Sequence, residues 1–117
     1  MPKPIYKVVD RELWQQAATS GMFRGAAIDL EDGYIHFSAA DQLVATVQKH
    51  FAGRDNLVVA EIDSELLGDS LRWEVSRGGE LFPHLYDSLN TALAEIHELP
   101  LKDGQHDFSG IEGVSPS

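Results

Sequence analysis

The fold prediction starts from one stretch, Leu71-Arg-Trp-Glu-Val-Ser-Arg-Gly-Gly-Glu-Leu-Phe-Pro-His-Leu-Tyr86. Apolar Leu71, Trp73 and Val75 alternate with polar residues, which is the pattern of a half-buried strand. The glycine pair at 78–79 permits a tight turn or a close approach of the backbone to a ligand. The stretch therefore predicts a strand, a glycine turn and a second strand, with Trp73 on the side that faces the core.

The second of these predicted strands carries polar side chains on one face. Pro83 cannot donate a hydrogen bond to a neighbouring strand, so it indicates a sheet edge or an irregular entry. His84 and Tyr86 share a face, and Leu85 lies opposite them. A core does not require this mixture of charged, imidazole and aromatic groups, so we interpret the stretch as part of a site.

Length and charge limit the kinds of partner. The chain has 117 residues, which is the length of one domain with a modest core. Nine Lys and Arg against nineteen Asp and Glu give a formal net charge of −10. Because the basic residues are scattered, this charge disfavours a nucleic-acid partner. A small anionic ligand held by one or two local arginines and backbone amides stays compatible with it.

The sequence contains no cysteine, which excludes disulfides, thiolate metal sites and cysteine nucleophiles. No run approaches the length of a membrane span, and the first residues lack the apolar core of a signal peptide. We therefore expect a soluble, cytoplasmic protein without a membrane partner. The sequence leaves the oligomeric state open.

Hydrophobic patterning predicts the remaining elements. Further strands are predicted at 5–9, 34–38, 57–62 and 94–99. Asp10 is the predicted cap of a helix at 11–18 that Gly21 stops, and a loop follows at 22–33. A second helix is predicted from Ser38, with Asp41 in a capping-box position, to Gly53, and Phe51 lies on its core side.

The order of these elements predicts the fold class. Strands outnumber helices and do not alternate strictly with them, which favours an α+β fold over a doubly wound sheet. Residues 1–101 are predicted to form a single α+β domain. Residues 102–117 are rich in Gly, Ser, Asp and Pro and have few apolar residues, so we expect a loose C-terminal tail.

His36 is the first candidate site residue. It shares a strand face with Tyr34 and Ser38, and the free amides of a helix that starts at Ser38 would attract an anion. A structural histidine bonded to the backbone is the competing interpretation.

The opening stretch supplies further candidates. Glu74 either pairs with an arginine in solvent, which contributes little, or stabilises positive charge and binds a sugar hydroxyl. Arg77, next to Gly78 and Gly79, is a candidate clamp for a phosphate or carboxylate. An ordinary turn arginine is the alternative.

His84 and Tyr86 either contact the ligand or close the sheet. A zinc site is a further interpretation, because histidine and glutamate bind zinc; its ligands would be His36, His50, His84 and Glu74. No closely spaced pair of histidines supports that interpretation, so it stays a minor option and we expect no metal.

Two motifs resemble a small bacterial family, the domain of unknown function 952. The matching segments are Asp32-Gly-Tyr-Ile-His-Phe-Ser38 and Trp73-Glu-Val-Ser-Arg-Gly-Gly-Glu-Leu-Phe-Pro-His-Leu-Tyr86, with Ile5-Tyr-Lys-Val8, Trp14 and His50-Phe51 in support. The resemblance covers residues 5–99. Tyr34, Phe37 and Asp87 depart from the residues expected in the family, and Asp87 stands where glycine is common.

The resemblance implies the ADP-ribosyltransferase fold, in which split antiparallel β-sheets are flanked by helices. It also implies a cleft for a nicotinamide dinucleotide, NAD. By motif position His36 would hold a ribose, and Ser38 would lie near the nicotinamide. Glu74 is the candidate for the later glutamate that steadies positive charge on the ribose. The predicted cofactor-binding surface is completed by Arg77, Gly78, Gly79, His84 and Tyr86.

Two functions therefore stay open. The first is an NAD-dependent transferase or glycohydrolase that acts on a small molecule or a protein side chain. The second is a non-catalytic module that binds a nucleotide or another small anion in the same cleft. The resemblance carries no established activity, and a fold does not determine a function.

Overall fold

The computed structural model describes residues 3–114, apart from the side chain of Arg77. These residues form a mixed fold of several antiparallel sheets and few helices. The helices are α1 (Arg11–Ser20), α2 (Ala27–Asp32) and α3 (Leu43–His50), with 3-10 turns at Ser64–Ser70, Arg77–Gly79 and Thr91–Leu93. The strands are β1 (Pro4–Asp10), β2 (Met22–Phe23), β3 (Ile35–His36), β4 (Ser38–Ala39), β5 (Leu57–Asp63), β6 (Leu71–Val75), β7 (Leu81–Leu85), β8 (Leu89–Asn90), β9 (Glu95–Leu99), β10 (Leu101–Lys102) and β11 (Gln105–His106). Within residues 3–114, no helix is long and apolar enough to cross a membrane.

The larger sheet has four antiparallel strands in the order β4-β1-β5-β9. The strand predicted at 57–62 is confirmed as β5, an inner strand of this sheet. Strand β1 pairs with β5 along its length but with β4 only at Ile5 and Tyr6. The β4 side of β1 is therefore open from Lys7 onward, and a cavity lies along this edge.

The smaller sheet has the order β3-β7-β6 and contains the stretch that suggested the fold. β6 and β7 are the predicted strand pair. In the turn between them, Gly78 and Gly79 have φ values of 68° and 79°, a conformation that glycine adopts without steric cost. The predicted glycine turn is confirmed.

Pro83 explains why the predicted strand 34–38 is divided between the two sheets. Pro83 lies in the central strand of the smaller sheet, not at an edge. Its carbonyl accepts a hydrogen bond from the Phe37 amide at 3.0 Å, but its nitrogen cannot return one. Pairing with β7 therefore ends at His36, and the chain turns to pair Ser38 with Tyr6 in the larger sheet.

Apolar side chains pack in two clusters, one on each face of the larger sheet. The first cluster includes Ile5, Val9, Trp14, Phe23, Ile35, Phe37, Val58 and Leu85. The second cluster includes Tyr6, Val8, Leu43, Val47, Leu57, Val59, Leu99, Phe108, Ile111 and Val114. Trp73 and Phe51 were predicted as core residues, but both are only partly buried at the margins of these clusters.

The C-terminal segment differs from the predicted loose tail. Residues 101–106 form the β10-β11 hairpin. Beyond it, Phe108, Ile111 and Val114 are 3%, 2% and 8% exposed and belong to the second cluster. These three apolar side chains hold the segment against the rest of the protein, because each one is buried. The folded body therefore continues past residue 101, and residues 115–117 of the predicted tail lie outside the described residues.

Three local predictions need correction. The predicted loop 22–33 contains β2 and α2. The second helix runs from Leu43 to His50, not from Ser38 to Gly53, and Gln42 is its cap residue. Asp10 is the N-cap residue of α1, as predicted, but its side chain makes no capping hydrogen bond and accepts one from Arg54 at 2.6 Å instead.

Candidate functional site

A cavity of about 470 Å³ lies along the open edge of β1, bordered by helix α3 and the smaller sheet. This volume lies in the range of small-molecule sites, roughly 300–1,000 Å³. Aromatic and apolar side chains form much of its wall. The lining residues with polar side-chain groups are Tyr6, Lys7, Asp32, Tyr34, His36, Ser38, Thr46, His50, Arg54, Ser76 and His84.

The charge of this lining contrasts with the net charge of −10. Among the described lining residues, Lys7 and Arg54 are cations, three more are histidines, and Asp32 is the carboxylate. The two cations pair with carboxylates outside the lining, Lys7 with Asp29 and Arg54 with Asp10. The lining is therefore less acidic than the chain as a whole, and both of its cations already have carboxylate partners, so a small anionic ligand is compatible with it.

His36 is held from both sides by carboxylates of helix α2. Its Nδ1 lies 2.6 Å from Asp29 Oδ1, and its backbone amide donates to the same oxygen at 3.1 Å. Its Nε2 lies 3.0 Å from Asp32 Oδ2. Asp29 thus fixes the orientation of the ring, whereas the partly exposed Asp32 meets it on the cavity side.

Asp29 is a buried carboxylate, 1% exposed, that collects several donors. Lys7 Nζ lies 2.9 Å from Oδ2, and the Ala26 amide donates to Oδ2 at 2.7 Å. Burial alone would raise the pKa of Asp29, but the hydrogen bond to His36 and the charge of Lys7 lower it to about 2. Burial lowers the pKa of Lys7, and the Asp29 charge opposes that effect.

His84 is held by a second carboxylate, on strand β6. Its Nδ1 lies 2.9 Å from Glu74 Oε1, and the Tyr86 hydroxyl donates to the same oxygen at 2.7 Å. These two bonds, that of Tyr86 first, lower the pKa of Glu74. Glu74 and Tyr86 are not among the described residues that line the cavity. Glu74 therefore acts on the cavity through its contact with His84.

Four rings bring the two histidines together. Tyr34 stacks on His84 with ring centroids 4.2 Å apart, and its ring lies 4.6 Å from His36 and 5.2 Å from Tyr86. The His36 and His84 rings are 5.4 Å apart, edge to face. Cross-strand pairing of His36 with His84 in β3 and β7 fixes this distance. Imidazoles placed this way can exchange protons with one bound ligand, because an imidazole can act as a general acid and as a general base.

Ser38 lies in the cavity lining but not at a helix start. Its hydroxyl is 2.9 Å from that of Thr46 on α3, and both residues line the cavity. The anion attraction expected from helix amides at Ser38 is therefore absent, because α3 begins at Leu43. The two hydroxyls remain available as ligand contacts.

The glycine turn contributes less to the cavity than the sequence suggests. Ser76, just before it, is a lining residue, whereas Gly78 and Gly79 are not among the described lining residues. The Arg77 side chain, the predicted anion clamp, lies outside the described part of the structure.

The sequence pattern does not mark Asp29, Lys7 or Arg54 as site residues. Asp29 lies in a segment predicted as a loop, and Arg54 follows a helix end. A signal for Lys7 exists, because it stands between Tyr6 and Val8 in an apolar strand, and a buried ammonium requires a partner. The pattern does not identify that partner, which is 22 positions away in the sequence.

The minor zinc interpretation is not supported by the side-chain positions. Among the described residues, the three potential ligands whose atoms lie within 4.8 Å of one another are Glu61, Glu95 and His97, on another part of the larger sheet.

Comparison with known proteins places the chain in a family. The crystal structure of protein CC0527 from Caulobacter crescentus is 43% identical, covers 90% of this chain and 94% of that chain, and has a TM-score of 0.86. The solution NMR structure of CC0527 is 42% identical, covers 88% and 90% of the two chains, and has a TM-score of 0.79. No curated protein matches. Residues 8–96 match the family described as "Protein of unknown function (DUF952)", and the chain belongs to that family.

Proposed function

We propose that the cavity binds NAD or a closely related ribonucleotide and promotes cleavage of the bond between the ribose and the nicotinamide. One observation carries the proposal. His36 and His84 lie 5.4 Å apart in one cavity, and each is held at Nδ1 by a carboxylate. Such a pair can bind ribose hydroxyls and accept the proton that the reaction releases.

The rest of the lining supports a ligand of this class. The Tyr34 ring offers a surface on which a nicotinamide or adenine ring can stack. Arg54, whose side chain is about half exposed, can donate to phosphate oxygens, whereas the Lys7 ammonium is bonded to the buried Asp29. The Ser38 and Thr46 hydroxyls can donate to or accept from a ribose.

In the proposed reaction the bond from the ribose carbon to the nicotinamide nitrogen breaks, and its electron pair neutralises the positively charged ring. The oxygen of water or of an acceptor hydroxyl bonds to the same carbon, and its proton passes to an imidazole or to solvent. Positive charge develops on the ribose, so a nearby carboxylate lowers the barrier. Asp32 faces the cavity for this role, and Glu74 acts as a positioning residue through His84.

A nicotinamide-release assay on the full chain tests the proposal. Asp32→Asn should cut turnover by roughly 100-fold, the scale of losing one strong electrostatic group. Glu74→Gln should move the pH profile of turnover, because it removes the charge that contacts His84. His36→Ala should mainly weaken NAD binding in calorimetry. A wild-type protein that neither binds NAD at millimolar concentration nor releases nicotinamide contradicts the proposal.

A non-catalytic nucleotide or small-anion module is the second candidate. The observation that favours it is the position of Glu74, which contacts His84 and Tyr86 and is not among the described lining residues. In this case a nucleotide binds, His36→Ala weakens the binding, and no nicotinamide is released. Calorimetry and the release assay together separate the two candidates.

A further inference from the structure

A second group of chemically active side chains lies on the larger sheet. Glu61 is on β5, and Glu95 and His97 are on the edge strand β9. Their ligand atoms all lie within 4.8 Å of one another. None of the three is among the described residues that line the cavity, so this group is separate from the site of the proposed function.

Pairing of β5 with β9 places Glu61 directly opposite Glu95. Like charges in this position destabilise a strand pair. Among the side chains that the structure describes, the ion-pair partner of both carboxylates is His97, and neither one is paired with a lysine or arginine. The repulsion between the two carboxylates can therefore be reduced by His97 or by a cation from solution.

The distances suit a small divalent ion. His97 Nε2 lies 2.8 Å from Glu61 Oε1 and 4.0 Å from Glu95 Oε2. Ligand atoms of a tetrahedral zinc ion, each about 2.1 Å from the metal, are about 3.4 Å apart. These two distances lie on either side of this value, and the two carboxylate oxygens lie within 4.8 Å of each other, so side-chain rotation can bring the three atoms to it. His97 is mostly buried and Glu95 is mostly exposed, which gives a fixed ligand and an open side for entry.

We propose that Glu61, Glu95 and His97 form a divalent-metal site, with Zn²⁺ as the ion that suits them best. One imidazole and two carboxylates are a borderline ligand set, which suits Zn²⁺ better than the oxygen-preferring Mg²⁺ or Ca²⁺. Two carboxylates neutralise the ion, and water takes the fourth position. The bound ion joins the edge strand β9 to β5.

Zinc titration of the tag-free full chain by calorimetry tests this site. The wild type should bind one equivalent, and Zn²⁺ should raise the unfolding temperature because it binds the folded state. His97→Ala should weaken that binding more than about 10-fold, since even the loss of an outer-shell partner weakens a metal site by 10–100-fold. His106→Ala is the matched control, because His106 lies in the β10-β11 hairpin, and it should bind as the wild type does.

Two further variants keep the outcome clear. Glu95→Gln changes an exposed side chain on an edge strand, so it should fold, and it should weaken zinc binding even if His97→Ala misfolds. His36→Ala removes a histidine of the cavity and should leave zinc binding unchanged. No saturable binding, or binding that is unchanged in both His97→Ala and Glu95→Gln, overturns the site. Neither outcome affects the nucleotide proposal, which is tested with NAD.

Discussion

At the residue scale, the candidate site depends on Asp29. This one carboxylate binds the ring and the backbone of His36, the ammonium of Lys7 and the amide of Ala26. It is therefore a structural ion-pair partner and the group that orients a candidate site residue. A second carboxylate, Glu74 on the neighbouring strand β6, orients His84 in the same way.

Replacement of Asp29 by Asn should destabilise the protein strongly. The change leaves the buried ammonium of Lys7 without a counter-charge, and breaking a buried pair costs about 3–5 kcal/mol of unfolding free energy. Urea unfolding of the wild type and the variant measures this loss. Asp32→Asn, which changes a partly exposed carboxylate bonded to the same His36, is the control and should cost less than about 1 kcal/mol. Equal losses in the two variants contradict the account of Asp29.

Lowering the pH should decrease the free energy of unfolding, because Asp29 takes up a proton. The pKa of Asp29 is about 2 in the folded protein and 3.8 as its ordinary value, so the unfolded chain binds more protons in this window. Stability should therefore be fully present above about pH 4 and should fall as the pH drops towards 2. Urea unfolding between pH 2 and 6 measures the slope.

In the same experiment Asp29→Asn should show a smaller slope than the wild type. A residual slope should remain, because the pKa of Asp107 is also about 2, owing chiefly to its hydrogen bonds with Ser109 and Lys102. Identical slopes in the wild type and in Asp29→Asn would show that Asp29 does not carry the effect.

At the element scale, the sequence predicts the strands better than it predicts the site. Periodicity identifies β1, β5, β6, β7 and β9 because each has an apolar face or run. It misses α2, whose Ile28 and Leu30 are 55% and 66% exposed, so that no buried stripe marks the helix. Helix α2 supplies Asp29 and Asp32, the two carboxylates that contact His36. The sequence pattern therefore does not predict the partners of His36.

Two other errors have local physical causes. The sequence after Ser38 resembles a capping box, but Ser38 is taken into the larger sheet when Pro83 ends the pairing of β3 with β7. Composition alone predicts a loose tail, but Phe108, Ile111 and Val114 recur every three residues and belong to the cluster that also contains residues of α3 and β5. Strand alternation identifies His36, Ser38 and His84 as lining residues, although His36 and Ser38 belong to short strands of two different sheets.

Gly25 should matter more than Gly33 for the position of α2. Both have positive φ, 120° and 87°, so an Ala at either one costs about 1–2 kcal/mol of backbone strain. A Cβ at Gly25 would lie 2.7 Å from the Cβ of Asp29, whereas nothing lies within 4 Å of one at Gly33. Gly25→Ala should therefore cost at least about 1 kcal/mol more in urea unfolding, as overpacking does. Equal losses contradict this contact.

At the scale of the whole molecule, one larger sheet separates two apolar clusters, and the cavity opens where that sheet lacks a strand. β4 covers only the first part of β1, so Lys7 and Val8 border the cavity, and α3 closes its side. The C-terminal segment covers the second cluster. The fold thus depends on residues at both ends of the described chain.

Truncation of Phe108 tests the role of the C-terminal segment. Phe108 is 3% exposed, so Phe108→Ala should cost about 3–5 kcal/mol of unfolding free energy. Glu112→Ala, an exposed position in the same segment, should change it by less than about 0.5 kcal/mol. Thermal or urea unfolding measures both. A loss below about 1 kcal/mol for Phe108→Ala would mean that the segment is loose, as the composition suggested.

The most direct test of the central claim is an NMR titration of the histidine side chains with NAD, using the full chain with ¹⁵N-labelled imidazoles. If the cavity is a nucleotide site, the signals of His36 and His84 should shift together and saturably, because both rings line it. The signals of His97 and His106, which are not among its described lining residues, should stay in place. Unchanged signals of His36 and His84 at millimolar NAD, or shifts of the same size in all of these histidines, would contradict the account.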